Sequence, residues 1–350
     1  MSDLIFCWGQ KQQALLTGQL HEAEKLIRAG APRVDIWRQS KRFYRTEIAD
    51  LRRQFGKFIL VSSNFGMCRD ESDIPQFVET KARQNLAIVD DSASHLVERL
   101  KYFINVKNSF LEMIRKLSAE LAKDGEFQIV IRPHPSDDSR IWAELEKENL
   151  PLVTIRGSGS ISPLICAAEA LIHNNCTSAV EAWFANVPTI AYLDYSDSRF
   201  EYGLPNSLGM STQDVHQVMS CLKRVSDGES LHPPQRTTEE AIRHFIQYNE
   251  NRSAVSEIVD ALFSLETESQ PLEVVTGKLN CPVLRIKATV SRLLAMLRMR
   301  PEERKYRQQK NPGITQDEIT DLISVFNQEN DTRVVAKKLH RNVFCVYADV

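Results

Sequence analysis

The sequence predicts an α/β protein built on a parallel, Rossmann-like sheet, with a helical extension at its C-terminal end. Two observations carry that expectation. From Lys57 onward, short apolar runs alternate with helical stretches. The apolar runs are continuous rather than alternating, as in strands covered on both faces.

The elements follow in order. Lys57–Ser62 (KFILVS), after Gly56, reads as a buried strand and runs into the loop SSNFGMCRDESD. From Ser94 to about Lys123, Leu96, Leu100, Phe103, Val106, Phe110, Met113, Ile114, Leu117 and Leu121 recur at helical spacing. Phe127–Ile131 is the second strand, stopped by Pro133 and Pro135. Ser139–Asn149 is a short helix, Leu152–Ile155 a strand, Ser162–Ala168 a helix. Ala170–His173 is a strand, Ser178–Ala185 a helix and Pro188–Leu193 the fifth strand. Helices are expected near Thr212–Val225, Thr238–Tyr248 and Ser253–Leu265. Before them, residues 1–56 give no complete β-α-β unit, only a strand fragment at Ile5–Trp8 and a basic helix at Arg38–Gln54. Beyond them lies a linker at 266–282. Thr315–Glu318 (TQDE) is a capping box opening a helix to about Asn327.

Charge is unevenly spread. Residues 1–57 carry 11 basic and 6 acidic residues, 58–277 carry 19 and 32, and 278–350 carry 14 and 8. An acidic middle of net −13 thus lies between ends of +5 and +6. The whole chain is at −2, which gives no reason to expect nucleic-acid binding. Within 278–310, Ile286, Val290, Leu293, Leu294 and Leu297 make an apolar stripe among ten basic residues. It reads either as a solvated helix docking on an acidic domain or as a contact with an anionic membrane surface. The hydrophobic fraction of 42% excludes wholesale disorder. Seven Cys without a CxxC, no signal-peptide pattern and no apolar run of ~20 residues fit a cytoplasmic protein, at most peripheral on the inner membrane.

Parallel sheets bind ligands beyond the carboxyl ends of their strands. The chemistry is therefore expected in loops 62–73, 132–139, 156–162 and 173–178. Arg132-Pro133-His134-Pro135 sits where a strand ends. The two prolines stiffen the backbone and aim His134 outward, with Arg132 as a charged partner for a phosphate or carboxylate. After the fourth strand comes His173-Asn174-Asn175-Cys176-Thr177-Ser178, a helix start whose N–H groups and hydroxyls suit a phosphate. Glu181, one turn on, is placed to accept from sugar hydroxyls. Ser178 and Glu181 also fit an S-x-x-E capping box, so an internal use competes with the ligand use. Ser62-Ser63-Asn64-Phe65-Gly66 would let a ligand approach the backbone closely, but it is neither a P-loop nor a dinucleotide fingerprint. Arg156–Pro163 reads equally as a connector or as the edge of a base site. No Cys/His cluster has metal spacing, so no metal and no bound cofactor are expected.

The order FGKFILVSSNFG, IRPHP, NCTSAVEAW, VPTIAY and KNPGITQDEI resembles the bacterial surface carbohydrate biosynthesis proteins, which are GT-B glycosyltransferase-like. More distantly, it is similar to the HP-motif transferases that use CMP-Kdo or CMP-sialic acid, and to CDP-glycerol glycerophosphotransferases. The resemblance implies a nucleotide-sugar donor, CMP-linked, and a saccharide or lipid-linked acceptor. It implies that His134 with Pro135, and Thr177 with Ser178, hold the donor phosphate, and that Glu181 binds the ribose. Arg132, Asn175, Ser63 and Asn64 complete the expected site. Residues 1–40 resemble the end of a first domain and its crossover (GAPRVD), 41–265 the nucleotide-sugar-binding domain, and 266–350 a linker and basic extension. In the family the first domain carries the acceptor site and usually the base, so no base is assigned in this chain. The expectation is an internal start, a separate N-terminal domain, or lost catalysis. Non-catalytic partner and UDP-sugar epimerase readings remain alternatives.

Overall fold

The computed structural model describes residues 4–18, 25–65, 70–83, 93–201, 203–229, 231, 235–264, 315–327, 333–340 and 343–348. The chain divides into two units, Met1–Ala261 and Leu262–Val350. The first opens with β1 (Ile5–Cys7), α1 (Gln10–Thr17) and β2 (Leu26–Arg28), and β1 pairs with β2 in parallel. This is a small but complete β-α-β unit, contrary to the expectation for residues 1–56. β1 falls in the strand fragment expected at Ile5–Trp8, whereas β2, Leu-Ile-Arg, is too short to give a pattern.

The single basic helix expected at 38–54 is instead three: α2 (Pro32–Arg38), α3 (Ser40–Phe43) and α4 (Arg45–Phe55). Pro32 opens α2 at its first turn. The breaks fall at Gln39 and Tyr44, whose backbones leave the helical region. At the first break the Ser40 hydroxyl donates to the Trp37 carbonyl at 2.7 Å, the local competition by which Ser interrupts a helix.

Next come β3 (Phe58–Ser62), a 3₁₀ turn (Glu71–Asp73), α5 (Ile74–Arg83), α6 (Ala93–Asp124), β4 (Gln128–Arg132), α7 (Ser139–Lys147), β5 (Val153–Ile155), α8 (Ile161–Ala167), β6 (Ala170–His173), α9 (Ser178–Phe184), β7 (Thr189–Tyr192), α10 (Gly203–Asn206) and β8 (Met210–Thr212). Strands β3–β8 form one parallel sheet in the order β5-β4-β3-β6-β7-β8. The five expected strands are all present. The sixth, β8, was not expected, because Met-Ser-Thr at a sheet edge has no apolar run. Gly209 makes its pairing possible: a Cβ there would lie 2.0 Å from the Thr189 carbonyl oxygen.

Both sheet faces are covered. On one, Ile59, Val61, Ile129, Ile131 and Ile172 pack against Phe110, Met113, Ile114 and Leu117 of α6 and against Val218 and Leu222 of α11 (Val215–Ser226). On the other, Phe58, Leu60, Val130 and Leu171 meet Leu51 of α4, Leu164 of α8 and Ala179 and Ala182 of α9. Each large apolar side chain taken from water contributes about 1.5–3 kcal/mol. This explains why strands 58–61 and 129–131 are apolar throughout.

The N-terminal piece is bolted onto this unit by α12 (Gln235–Phe245) and the residues just beyond that helix. Trp37 stacks on Phe184 at 6.2 Å, beside Ile242 and Ile246. The Gln247 N–H donates to the Trp8 carbonyl at 2.6 Å. Gly30 (φ +83°) admits that chain, since a Cβ would sit 2.3 Å from the Gln247 oxygen. Asp35 accepts from the N–H groups of Ala254 and Val255, both at 3.1 Å, and so caps α13 (Ala254–Phe263) from a distant part of the sequence.

In the second unit, α14 (Gln316–Asn327) starts as expected: Glu318 accepts from the Thr315 N–H at 2.6 Å and Thr315 from the Glu318 N–H at 3.1 Å. An antiparallel hairpin of β9 (Val334–His340) and β10 (Val343–Ala348) comes after it, where no strand was expected. The linker at 266–282 and the basic stripe at 278–310 lie outside the described residues, as does Gly66.

Candidate functional site

The strand order reverses between β3 and β6, and here the last residues of three strands stand in one row. Ser62 is level with Arg132 of β4 on one side and His173 of β6 on the other. The loops that leave them, 63–65, 133–138 and 174–177, meet above the carboxyl edge of the sheet, where open α/β sheets hold ligands.

The RPHPSDD segment is folded by its own residues. The Asp137 N–H donates to the His134 carbonyl at 2.9 Å, closing a turn with Pro135 at its second position. Asp138 caps α7 by accepting from the Arg140 N–H at 2.9 Å. Asp137 turns inward. It accepts from the Ser63 hydroxyl at 2.5 Å, the Phe65 N–H at 2.8 Å, the His134 N–H at 3.1 Å and the Trp142 indole N–H at 3.2 Å. One carboxylate thus ties the loop after β3 to the loop after β4 and to α7. Burial raises its pKa above the ordinary carboxylate value, against the pull of Ser63 and the backbone donors. Sequence reasoning passed over Asp137; the signal available was an Asp two residues past a His-Pro turn.

The ring of His134 is oriented locally. Its Nδ1 faces the Ser136 hydroxyl at 2.6 Å and the Ser136 N–H at 3.2 Å; with Nδ1 accepting from both, a neutral ring carries its proton on Nε2. Ser63 is almost fully buried and sits beneath His134, accepting from its N–H at 2.9 Å. Arg132 departs from expectation. It is buried, and its guanidinium donates to the carbonyls of Arg156 at 3.0 Å and Gly159 at 2.6 Å. It holds the loop after β5 rather than standing out toward an anion. Burial, then Arg156 nearby, lowers its pKa.

The β6–α9 turn is clamped from both sides. Asn175 is left-handed (φ +48°); its N–H donates to Asn206 Oδ1 at 3.0 Å, and its carbonyl accepts from Asn64 at 3.2 Å. Thr177 is the residue before the helix, exposed, with no capping bond from its side chain. The capping box weighed for Ser178 and Glu181 is not formed. Ser178 is already inside α9, and its hydroxyl donates to Ser62 at 3.1 Å. Glu181 is buried; its Oε1 has no partner among the described residues. Burial raises its pKa, while a hydrogen bond from Ser162 and the charge of Arg33 pull the other way. His173 is wholly buried with neither ring nitrogen partnered among the described residues, and burial lowers its pKa to about 3.

Among the nine expected contacts, then, the structure brings Ser63, Asn64, Arg132, Asn175 and Ser178 together as a framework. Pro135 shapes the turn. Thr177 is exposed, His134 is half-buried, and Glu181 is a buried acceptor one turn into α9. A groove of about 530 Å³ runs between α6 and α7, beside Asp70 and Asp138. Its cations are already paired: Lys107 with Asp70 at 3.5 Å, Arg115 with Glu148 at 2.8 Å, Arg140 with Asp138. It offers an incoming phosphate less than the strand-end loops do. Among the described residues, no group of three His, Cys, Asp or Glu is arranged to hold a metal, and no helix is long and apolar enough to cross a membrane.

No protein-family model and no curated protein sequence matches this chain. Among solved structures it is similar to the wall teichoic acid polymerase TagF, at 11% identity over 75% of this chain, with a TM-score of 0.45. It is similar to UDP-GlcNAc 2-epimerase from Methanocaldococcus jannaschii (15% identity, 75% of this chain, 62% of that one, TM-score 0.45). It is also similar to Anabaena Alr3699/HepE, solved with UDP-glucose (13%, 76% and 65%, TM-score 0.36). The chain spans 59% of the length of TagF.

Proposed function

We propose that this protein is the donor-binding part of a GT-B, glycosyltransferase-like enzyme of surface polysaccharide assembly. Its donor is a nucleotide-activated sugar, CMP-linked, and the sugar passes to an acceptor hydroxyl without a metal. The observation that supports this best is the meeting of three strand-end loops at the strand-order reversal, with the imidazole of His134 among them. In this reading His134 Nε2–H and the Thr177 hydroxyl donate to the donor phosphate, and Glu181 accepts from ribose hydroxyls. Ser63, Asn64, Arg132, Asn175 and Ser178 hold the loops in place.

The test is a thermal-shift series with CMP, CDP and UDP on the full chain. Ligand at a hundredfold excess over Kd stabilises the folded state by about 2.7 kcal/mol, a rise of several degrees. CMP is expected to give that rise, and His134→Ala to abolish it. No response to any of the three would sink the reading; a response to UDP alone would favour the epimerase-like alternative.

A second reading has its own support. Trp8 after β1, Leu15 on α1 and Ile36 on α2 are large apolar side chains left 48%, 62% and 49% exposed. In that reading a separate domain covers them and brings the acceptor and the base. Residues 278–310 then supply contact with an anionic membrane where lipid-linked acceptors reside.

A further inference from the structure

The β6–α9 turn depends on a residue 31 positions away in sequence. Asn175 adopts a left-handed backbone that costs a residue other than Gly of order 1 kcal/mol unless its surroundings hold it. The group that holds its N–H is the side chain of Asn206, at the end of α10 and almost fully buried. An amide side chain presents its oxygen or its NH₂, and here the choice is made by a neighbour. Asn206 Nδ2 donates to Glu201 Oε2 at 3.3 Å, and a carboxylate can only accept. The oxygen is thereby turned toward Asn175. Glu201 is fixed in its turn: its Oε1 accepts from the Tyr102 hydroxyl at 2.9 Å and from the Asp197 N–H at 2.8 Å. The chain of bonds runs from α6, through the loop after β7, into the loop after β6.

We propose that Asn206, oriented by Glu201, is a positioning residue that keeps the left-handed turn at Asn175 in the shape that presents Thr177 to an anionic ligand. This rests on the nucleotide reading above for the identity of the ligand, and on the geometry alone for the clamp. It makes the loop after β7 part of the site, although none of its residues need touch the ligand.

Two readouts separate those parts. The first is hydrogen exchange of the 174–178 backbone in the full-length protein without ligand. The second is the affinity for CMP, or for whichever of CDP and UDP binds, by calorimetry. In Asn206→Ala the Asn175 amide is expected to exchange at least tenfold faster, and affinity to fall about tenfold. Glu201→Gln keeps the shape but adds an NH₂ that can face the Asn206 amide. It is expected to move both readouts in the same direction, by less. A role confined to stability would lower the melting temperature of Asn206→Ala while leaving its affinity unchanged, and that result overturns the proposal. Unchanged exchange at residues 174–178 in Asn206→Ala also overturns it. If the wild-type protein binds none of the nucleotides, the nucleotide reading falls and the ligand part of the proposal with it. The exchange arm then still decides whether the clamp exists.

Discussion

Four donors converge on Asp137, and none of them is another charge. A carboxylate suits that position because it accepts on both oxygens and donates on neither. Asp137→Asn keeps the shape but turns an NH₂ toward at least one of these donors. Leaving a buried donor unmatched costs about 1–3 kcal/mol, so the unfolding free energy in urea should fall by that amount with the slope unchanged. A loss below about 0.5 kcal/mol would show that Asp137 does not bind the two loops together. His173 makes a different prediction. Its pKa falls from 6.5 to about 3 on folding. Above pH 6.5 neither state is protonated, and nothing changes. Below it the unfolded chain takes up a proton that the folded protein refuses, so stability drops by up to about 1.4 kcal/mol per pH unit until the folded pKa is reached. His173→Leu removes that dependence while filling the same buried space, and should be neutral or stabilising at neutral pH. Stability curves of the two proteins that run parallel from about pH 6.5 to about pH 4 would refute it.

The elements show what a pattern in the sequence can and cannot carry. α6 was readable because Leu100, Phe110, Met113, Ile114 and Leu117 recur at helical spacing and are all fully buried. Leu117→Ala is accordingly expected to cost about 2–5 kcal/mol in urea unfolding. The central strands were readable for the same reason, each being an unbroken apolar run. β8 and β2 were not, since Met-Ser-Thr and Leu-Ile-Arg hold no apolar run long enough to stand out and are fixed by their partners. The candidate site was legible in part. The His134 turn announces itself through two prolines and an Asp. The burial of Arg132, the clamp on Asn175 and the diversion of Ser178 to Ser62 arise from residues far apart in sequence, which no local pattern records. Asp35 is of this kind: its sequence neighbours place it in a crossover, but its work is to cap α13 some 219 positions away. Asp35→Ala should cost about 1 kcal/mol, the usual value for a lost cap, and raise hydrogen exchange at Ala254 and Val255 in particular.

At the scale of the whole chain, charge and packing divide at different places. Among the described residues, the apolar clusters of the first unit draw only on positions between Ala31 and Tyr248. The basic surplus at the far end, 14 positive against 8 negative residues in 278–350, lies beyond all of them. The described residues that hold the sheet domain together and the basic surplus of the sequence thus lie in separate stretches of one chain. A chain ended after residue 264 should therefore keep its cooperative unfolding transition, with a stability within about 1 kcal/mol of the full protein. Its formal charge moves from −2 to −5, because the basic end is lost along with only three acidic residues of the middle. Sedimentation with vesicles rich in anionic lipid gives the complementary measurement. The full chain is expected to bind them at low salt and to be released near about 0.5 M salt, since screening shortens the reach of each charge to about 4–5 Å. The shortened chain should not bind at any salt concentration. Equal binding by the two would place the attraction in the first 57 residues instead, whose net charge of +5 is the other basic surplus in the sequence.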